Sequence, residues 1–169
     1  MQQIIVSGIG GQGVLFATRL LAETALALGH SVMISETHGM AQRGGNVISH
    51  LKVGKSVMVS PLIRPGRADV FLGLHPDSIK VHGFYLKPDG KAFCNGSRED
   101  SDSSLDAAGI AAELGAPVSA NLVLLAFAAA SGFLFCKPEH LEQQLVNVGG
   151  NRRELNLRAF RAGLTARAG

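Results

Sequence analysis

Residues 3–35 read QIIVSGIGGQGVLFATRLLAETALALGHSVMIS, and this stretch decides the fold. The pattern predicts a strand over 3–6, a glycine turn over 8–13, a helix over 14–28 that stops at Gly29, and a second strand over 31–35. The second strand is apolar enough to lie inside a parallel sheet. A strand, a glycine turn, a helix and a strand in this order predict a doubly wound α/β fold.

The residues after this stretch extend the sheet before the chain becomes helical. Alternating side chains over 47–53 and 56–59 predict a hairpin, a buried-type strand follows over 69–74, and residues 88–90 predict a second hairpin turn. Pro76 and Asp77 open a short helix between these elements. Because hairpins add antiparallel strands, the expected fold is a single-domain, three-layer α/β/α, Rossmann-like structure with a mostly parallel, mixed sheet.

The last third of the chain predicts helices. They cover residues 105–114, which stop at Gly115, then 119–133 and 138–146, and a last helix starts at Asn151. Asn151 and Glu154 have capping-box spacing, and Gly163 is a predicted stop for that helix. Residues 95–104 are polar and predict a surface loop.

Composition limits the classes of function. The chain has 169 residues, which is the size of one domain. Hydrophobic residues make up 46% and charged residues 17%, which favours a subunit with a covered face, against either a larger partner or a second copy. The net charge of +3 comes without a lysine and arginine run, so nucleic acid is not an expected partner.

Cysteine content and hydropathy make further exclusions. Cys94 and Cys136 are far apart, so these thiols alone build neither an iron–sulfur nor a zinc site, and no metal site is expected. The apolar run 122–130 is about half of a membrane span, so a buried helix is expected rather than a membrane anchor. The first residues show no signal-peptide pattern, which makes the cytoplasm the expected location.

The glycine turn is the first candidate binding segment. A glycine turn before a helix offers free N–H groups and the positive end of the helix dipole to an anion such as phosphate. The spacing Gly8-x-Gly10-x-x-Gly13 is the generic dinucleotide fingerprint, and close packing of helix on strand explains it equally well. A helix terminus contributes about 0.3–1 kcal/mol to a bound anion, whereas micromolar affinity needs about 8 kcal/mol. Other walls, including ones from another chain, are therefore required.

The second candidate segment follows the second strand, where open α/β sheets bind ligands. Its polar residues are Glu36, His38, Gln42 and Arg43, placed among glycines. Arg43 suits a carboxylate or phosphate, and Glu36 or His38 suits proton transfer near neutral pH. The alternative is a tight loop in which Arg43 pairs with Glu36.

Self-sufficient catalysis is not expected. The sequence has no nucleophile elbow, no P-loop lysine and no HExxH pair. Tyr85 is the only tyrosine, and no catalytic set for an independent NAD-dependent dehydrogenase can be assembled around it. An independent hydrolase or dehydrogenase is therefore disfavoured.

Together, the two segments resemble the gamma-type domain of 2-oxoacid:ferredoxin oxidoreductases. The resemblance lies in Gly10-Gly11-Gln12-Gly13 and Glu36-x-His38-Gly39-Met40-x-Gln42-Arg43-Gly44-Gly45. Further matches include Ala68-Asp69, Asn121 at the head of the apolar helix, and Asn156 to Gly163. The resemblance spans residues 1–169 as one gamma-type domain, and the second segment is most similar to the beta subunit of indolepyruvate:ferredoxin oxidoreductase.

The resemblance implies a non-catalytic subunit of an enzyme that converts a 2-oxoacid and coenzyme A into an acyl-CoA, with electrons passed to ferredoxin. Thiamine diphosphate and iron–sulfur clusters are then expected on a large companion subunit, with coenzyme A as the candidate ligand here. The oxoacid is expected to be indolepyruvate or another arylpyruvate, with pyruvate, 2-oxoglutarate and branched-chain oxoacids as alternatives. A stand-alone nucleotide or CoA-ester binding module is the other hypothesis. The implied binding residues are Gly8, Gly10, Gly11, Gln12, Gly13, Glu36, His38, Gly39, Met40, Gln42, Arg43, Gly44, Gly45 and Asn121.

Overall fold

The computed structural model describes residues 1–38, 45–56, 58–96, 103–148 and 150–166. Strands and helices alternate in its first half, and helices fill the second half. In chain order the elements are β1 (Gln2–Ile9), α1 (Val14–Ala27), β2 (Ser31–His38), β3 (Asn46–Gly54), β4 (Ala68–Gly73), α2 (Ser78–His82), β5 (Leu86–Asn95), β6 (Ser104–Leu105), α3 (Ala107–Glu113), α4 (Ala120–Ala130), α5 (Pro138–Val148) and α6 (Arg153–Thr165).

The six strands form one mixed sheet in the order β2-β3-β1-β4-β5-β6. β1, β4, β5 and β6 pair in parallel, while β3 runs antiparallel to both of its neighbours, β1 and β2. All strands except β3 therefore point the same way. Their carboxyl ends meet at one edge of the sheet, which we call the carboxyl edge, and the glycine turn lies there. The opposite edge is the amino edge.

The sheet is covered on both faces, but the two outer layers are unequal. The main core lies on one face, where α1 and α4 pack on the sheet and α3, α5 and α6 pack around them. The other face has a smaller core around Ile5, Ile63 and Phe71, covered by α2 and the connection before β4. The three-layer α/β/α prediction is confirmed, with one layer much thinner than the other.

β1 shows why an apolar, non-alternating strand lies at the centre of this arrangement. Ile4 and Val6 face the main core, Ile5 faces the smaller core, and all three are 0% exposed. Burying each such side chain contributes about 1.5–3 kcal/mol. Burial on both faces is the reason the strand does not alternate with polar residues.

The two predicted hairpins are wrong. β3 pairs with β2 and β1 rather than with residues 56–59, and Val59 is 96% exposed, so the alternation there does not reflect burial. Pro88, Asp89 and Gly90 lie inside β5. The pairing of β4 with β5 is irregular between Ala68 and Val70. Because the ladder is interrupted there, the missing N–H of Pro88 costs no regular hydrogen bond.

Several helix ends also differ from the prediction. Leu105 belongs to β6, and α3 starts later, where the Asp106 carboxylate accepts a hydrogen bond from Gly109 N at 2.8 Å. The Asn151 capping box is absent, because α6 starts at Arg153 without a side-chain cap. Gly163 lies within α6 instead of stopping it. In the described ranges, no helix has the length and apolarity needed to cross a bilayer.

Candidate functional site

The glycine turn is a closed loop at the end of β1. Ile9 N donates to Gln12 Oε1 at 2.9 Å, and Gln12 N donates to Ile9 O at 3.2 Å. Gly11 and Gly13 adopt φ values of +93° and +79°, a region that disfavours side chains. The Gln12 side chain therefore fixes the shape of the turn from within.

Asn121, at the head of α4, holds the turn from the other side. Its Nδ2 donates to Gly13 O at 3.3 Å, and the side chain is only 5% exposed. A Cβ on Gly13 would collide with this same Nδ2. The structure thus brings Asn121 to the glycine turn across 108 residues of sequence.

Close packing explains one glycine of the turn, and room for a ligand explains another. A Cβ on Gly8 would lie 2.9 Å from Gln12 Oε1 and 3.2 Å from Leu74 Cβ, so Gly8 serves close packing. A Cβ on Gly11 would meet nothing within 4 Å. Gly11 therefore leaves open space beside the backbone, which is what an approaching ligand requires.

A cavity of about 260 Å³ adjoins the turn at the carboxyl edge. It is bounded by Gly11 and Gln12, by the ends of β4 and β5, and by the amino-terminal ends of α3 and α4. Pockets that enclose whole small molecules measure about 300–1,000 Å³. This cavity is thus large enough for part of a ligand, and the remainder would contact solvent or another chain.

The starts of α1 and α4 both lack a side-chain cap at the N-cap residue, whereas Asp106 caps α3. In α4, Asn121 Oδ1 nevertheless accepts a hydrogen bond from Leu122 N at 2.8 Å, and at the start of α3 Asn95 Oδ1 accepts one from Ala108 N at 3.1 Å. α1 begins at Val14 after Gly13, with no acidic residue in its first turn. Among the described residues no side chain caps its first N–H groups, so they are available to an anion.

Asn95 is a wall of this cavity that the sequence analysis missed. Its Nδ2 donates to Leu74 O at 3.2 Å, which links the ends of β5 and β4. The polar composition of residues 95–104 predicts a surface loop that includes Asn95, whereas the structure places Asn95 at the end of β5. Its position directly after an apolar strand was the available signal, since strand ends in α/β sheets line ligand sites.

The second candidate segment is only partly described. The predicted loop over 36–45 is wrong at its start, since β2 continues to His38 and includes Glu36. Glu36 pairs with Ser49 and His38 with Val47 in the β2–β3 register. Gly45 O accepts a hydrogen bond from Gly10 N at 3.0 Å, which ties the end of the segment to the glycine turn. Gly39, Met40, Gln42, Arg43 and Gly44 lie outside the described residues.

Two histidines lie under the thin layer, next to β1. His82 Nδ1 is 2.8 Å from the buried Ser7 Oγ, and His50 Nδ1 accepts a hydrogen bond from Ile63 N at 3.2 Å. Burial lowers the pKa of both histidines, and the nearby charges of His82 and Lys52 lower the pKa of His50 further. Ser7 is 1% exposed, so this serine–histidine contact is structural.

These histidines should make the protein less stable in mild acid. Above their ordinary pKa of 6.5 both are neutral in the folded and unfolded states. As the pH falls below 6.5, the unfolded chain binds protons first, so the free energy of unfolding decreases until the pH passes the lower folded-state pKa. Each histidine contributes up to about 1.4 kcal/mol per pH unit.

Urea unfolding at several pH values between about pH 7.5 and about pH 5.5 measures the slope of the free energy of unfolding against pH. His82→Gln should reduce this slope relative to the wild type. Equal slopes for His82→Gln and the wild type would contradict the assignment.

The described residues offer little for metal or thiol chemistry. Within them, no group of three or more His, Cys, Asp or Glu side chains is arranged to bind a metal ion. Cys94 and Cys136 are buried and form no disulfide, and burial raises the pKa of Cys136 to about 12. At neutral pH the Cys136 thiol is therefore protonated and unreactive.

Comparison with known proteins agrees with this architecture. The family model described as pyruvate ferredoxin/flavodoxin oxidoreductase matches residues 3–166. The indolepyruvate oxidoreductase subunit IorB of Thermococcus kodakarensis is 31% identical over 96% of this chain and 94% of its own length.

Solved structures share the fold. The gamma subunit of a keto/oxoacid ferredoxin oxidoreductase from Geobacter sulfurreducens superposes with a TM-score of 0.77 at 24% identity, covering 97% of this chain and 96% of that one. A 2-oxoglutarate:ferredoxin oxidoreductase from Magnetococcus marinus, solved with 2-oxoglutarate, coenzyme A and succinyl-CoA bound, has a TM-score of 0.78 at 19% identity and covers 96% of this chain but 30% of that chain. The family match over almost the whole sequence, together with the IorB similarity, shows that this chain belongs to the pyruvate ferredoxin/flavodoxin oxidoreductase family.

Proposed function

We propose that residues 1–169 form the gamma-type subunit of a 2-oxoacid:ferredoxin oxidoreductase whose substrate is indolepyruvate or another arylpyruvate. The observation that supports this most directly is the end-to-end similarity to an indolepyruvate oxidoreductase subunit, at 31% identity over 96% of the chain. Pyruvate, 2-oxoglutarate and branched-chain oxoacids are the alternative substrates.

In the proposed complex this chain is the non-catalytic small subunit. The large companion subunit provides thiamine diphosphate, which supplies the decarboxylation chemistry, and the iron–sulfur clusters that deliver electrons to ferredoxin. The present chain helps to form the site where coenzyme A accepts the acyl group. We place the complex in the cytoplasm, where cysteines outside disulfides, such as Cys94 and Cys136, stay reduced.

The carboxyl-edge cavity is the proposed contact with coenzyme A. The uncapped start of α1 offers N–H groups to a phosphate, and Gly11 allows close approach to the backbone. Asn121 and Gln12 hold the turn in this shape through their hydrogen bonds to Gly13 O and Ile9 N. The contribution of these residues is positioning rather than bond-making. The segment from Glu36 to Gly45, joined to the turn through Gly45, is the second proposed contact.

The alternative function, a stand-alone nucleotide or CoA-ester binding module, requires an isolated chain that binds its ligand tightly. The cavity of about 260 Å³ encloses only part of such a ligand, and a helix start adds about 0.3–1 kcal/mol. These values favour a site completed by another subunit.

Anaerobic co-purification of the tagged chain from its native cells tests the proposal. We expect capture of a large subunit that contains thiamine diphosphate and iron–sulfur clusters, with arylpyruvate- and CoA-dependent reduction of ferredoxin. The isolated chain, assayed in parallel, should show no turnover. A chain that elutes alone with a tightly bound nucleotide would instead support the binding module, and turnover by the chain without a partner would reject the non-catalytic role.

A further inference from the structure

A second concave surface lies at the amino edge, opposite the candidate coenzyme A site. It is a groove of about 690 Å³ between the start of β1, the end of β3 and the connection that precedes β4. We call it the basic groove, and its defining residues are Lys52, Met58, Val59, Leu62, Arg64 and Arg67. The proposed function assigns this surface no role.

The groove has an uncompensated positive charge. Lys52, Arg64 and Arg67 line it, and among the described residues no acidic side chain does. Across the described ranges, none of these three cations has a carboxylate within salt-bridge distance. Asp69, at the start of β4, is already engaged, because it accepts a hydrogen bond from Gln3 N at 2.7 Å and pairs with Lys87 at 2.9 Å. The field of the three cations therefore extends into the groove and favours a negatively charged occupant.

Large apolar side chains lie beside these cations. Val59 is 96% exposed and Leu62 is 52% exposed, and the Met58 side chain also lines the groove. Arginine and methionine are enriched where proteins contact one another, and exposed apolar side chains gain free energy when a partner covers them. The combination is complementary to a protein segment that has both acidic and apolar side chains.

Two other occupants fit the groove less well. A symmetric contact between two copies would place the same cations opposite one another, since such an interface is formed from the same patch on both copies. Single-stranded nucleic acid is bound by aromatic side chains that stack on bases, and none of the described residues that line this groove is aromatic.

We propose that the basic groove docks an acidic and apolar segment of the companion subunit. This inference rests on the proposed function, because it requires that companion, but it concerns the edge of the sheet away from the coenzyme A contact. Complementary charge at such a surface acts mainly on the rate and salt dependence of association. The groove is therefore the place where the two subunits first recognise each other.

The test uses the co-purified complex and measures the Kd between the two subunits at low and high salt. Arg64→Glu together with Arg67→Glu should raise the Kd at low salt by at least about tenfold and weaken its salt dependence. Arg64→Lys with Arg67→Lys keeps the charge and should bind like the wild type. The matched control is Arg153→Glu with Arg158→Glu, which makes the same charge change on exposed residues of α6 and should leave the Kd unchanged. Circular dichroism melting of each variant confirms that it is folded.

Each other outcome is decisive. If the wild type captures its companion and the Arg64/Arg67 reversal binds equally well, the docking site is rejected while the proposed function stands. A loss of affinity in the α6 control alone assigns recognition to α6 and also rejects the groove. If a single-stranded oligonucleotide displaces the companion subunit from the wild type, and the Arg64/Arg67 reversal abolishes this displacement, the groove binds nucleic acid rather than a protein segment, and the proposal is rejected. Failure of the wild type to capture any companion would overturn the proposed function and this inference together.

Discussion

Replacing Gly13 with alanine is expected to destabilise the protein by about 2–4 kcal/mol. One part of the loss is conformational, because Gly13 has a φ of +79°, where an L-residue costs about 1–2 kcal/mol. The other part is steric, because the new Cβ would displace Asn121 Nδ2 and break its 3.3 Å hydrogen bond to Gly13 O. Urea unfolding of the purified chain measures the sum.

A double-mutant cycle separates the two parts. In an Asn121→Ala background the steric part disappears, so Gly13→Ala should cost only the conformational part there. Gly11→Ala is the matched control, because Gly11 has a φ of +93° but nothing within 4 Å of a Cβ, and it should cost about 1–2 kcal/mol. If Gly13→Ala costs the same in both backgrounds, Asn121 does not hold the turn.

The same substitution should also affect the proposed function. Asn121 and the turn both border the carboxyl-edge cavity, so a displaced Asn121 side chain would occupy part of the space proposed for coenzyme A. In the assembled complex we expect a higher KM for coenzyme A with a smaller change in the KM for the oxoacid.

Much of the fold was predictable because its signals are local. The end of α1 was predictable from Gly29, because a glycine readily adopts the positive φ, here +77°, with which helices end. Gly29 N donates a hydrogen bond to Leu26 O in the last turn. The buried strand β4 follows from its apolar run, as expected for a sheet covered on both faces. The expectation that the second strand lies inside a parallel sheet is wrong, because β2 lies at the edge of the sheet and pairs antiparallel with β3. The mixed sheet was also predicted correctly, although β3 supplies it by pairing with β1 and β2 rather than through the predicted hairpin.

The errors arise where tertiary contacts override local pattern. Pro88 and Gly90 are turn formers, yet they lie within β5, where its pairing with β4 is irregular. In the candidate site, too, some residues have a local signal in the sequence and others depend on tertiary contacts. The glycine turn is visible in the sequence, and Asn121 was identified through the family resemblance. The role of Asn95 depends on β4, β5 and α3 meeting at one edge, which local patterns do not specify.

Gly163 gives the second large expected effect. It lies in the buried face of α6, where a Cβ would meet the carbonyl oxygen of Val123 and lie 2.9 Å from Ala126 Cβ. Both contacts belong to α4, whose residues Val123 and Ala126 are 0% exposed. A helix packed between the sheet and α6 cannot move aside without disturbing the main core. The glycine is therefore required by close helix–helix contact rather than by a helix end.

Two effects of opposite sign make Gly163→Ala informative. Helix propensity alone predicts a gain of about 1 kcal/mol when alanine replaces glycine inside a helix. Overpacking against a fixed backbone predicts a loss of about 1–3 kcal/mol or more, and the contact with Val123 O places this site at the upper end. We expect a net loss of about 2 kcal/mol for Gly163→Ala and a larger one, above about 3 kcal/mol, for Gly163→Val.

Urea unfolding of both variants measures the losses, and Gly115→Ala serves as the control. Gly115 has a φ of +69° with nothing within 4 Å of a Cβ, so its substitution costs backbone strain of about 1–2 kcal/mol without a packing penalty. At Gly163 the loss of stability for valine should exceed the loss for alanine by more than the ~0.7 kcal/mol that the lower helix propensity of valine explains, because the packing penalty also grows with the volume of the side chain. If Gly163→Ala instead stabilises the protein, α4 and α6 can move apart to make room for the methyl group. The distance between these two helices is then not fixed by the packing of the main core.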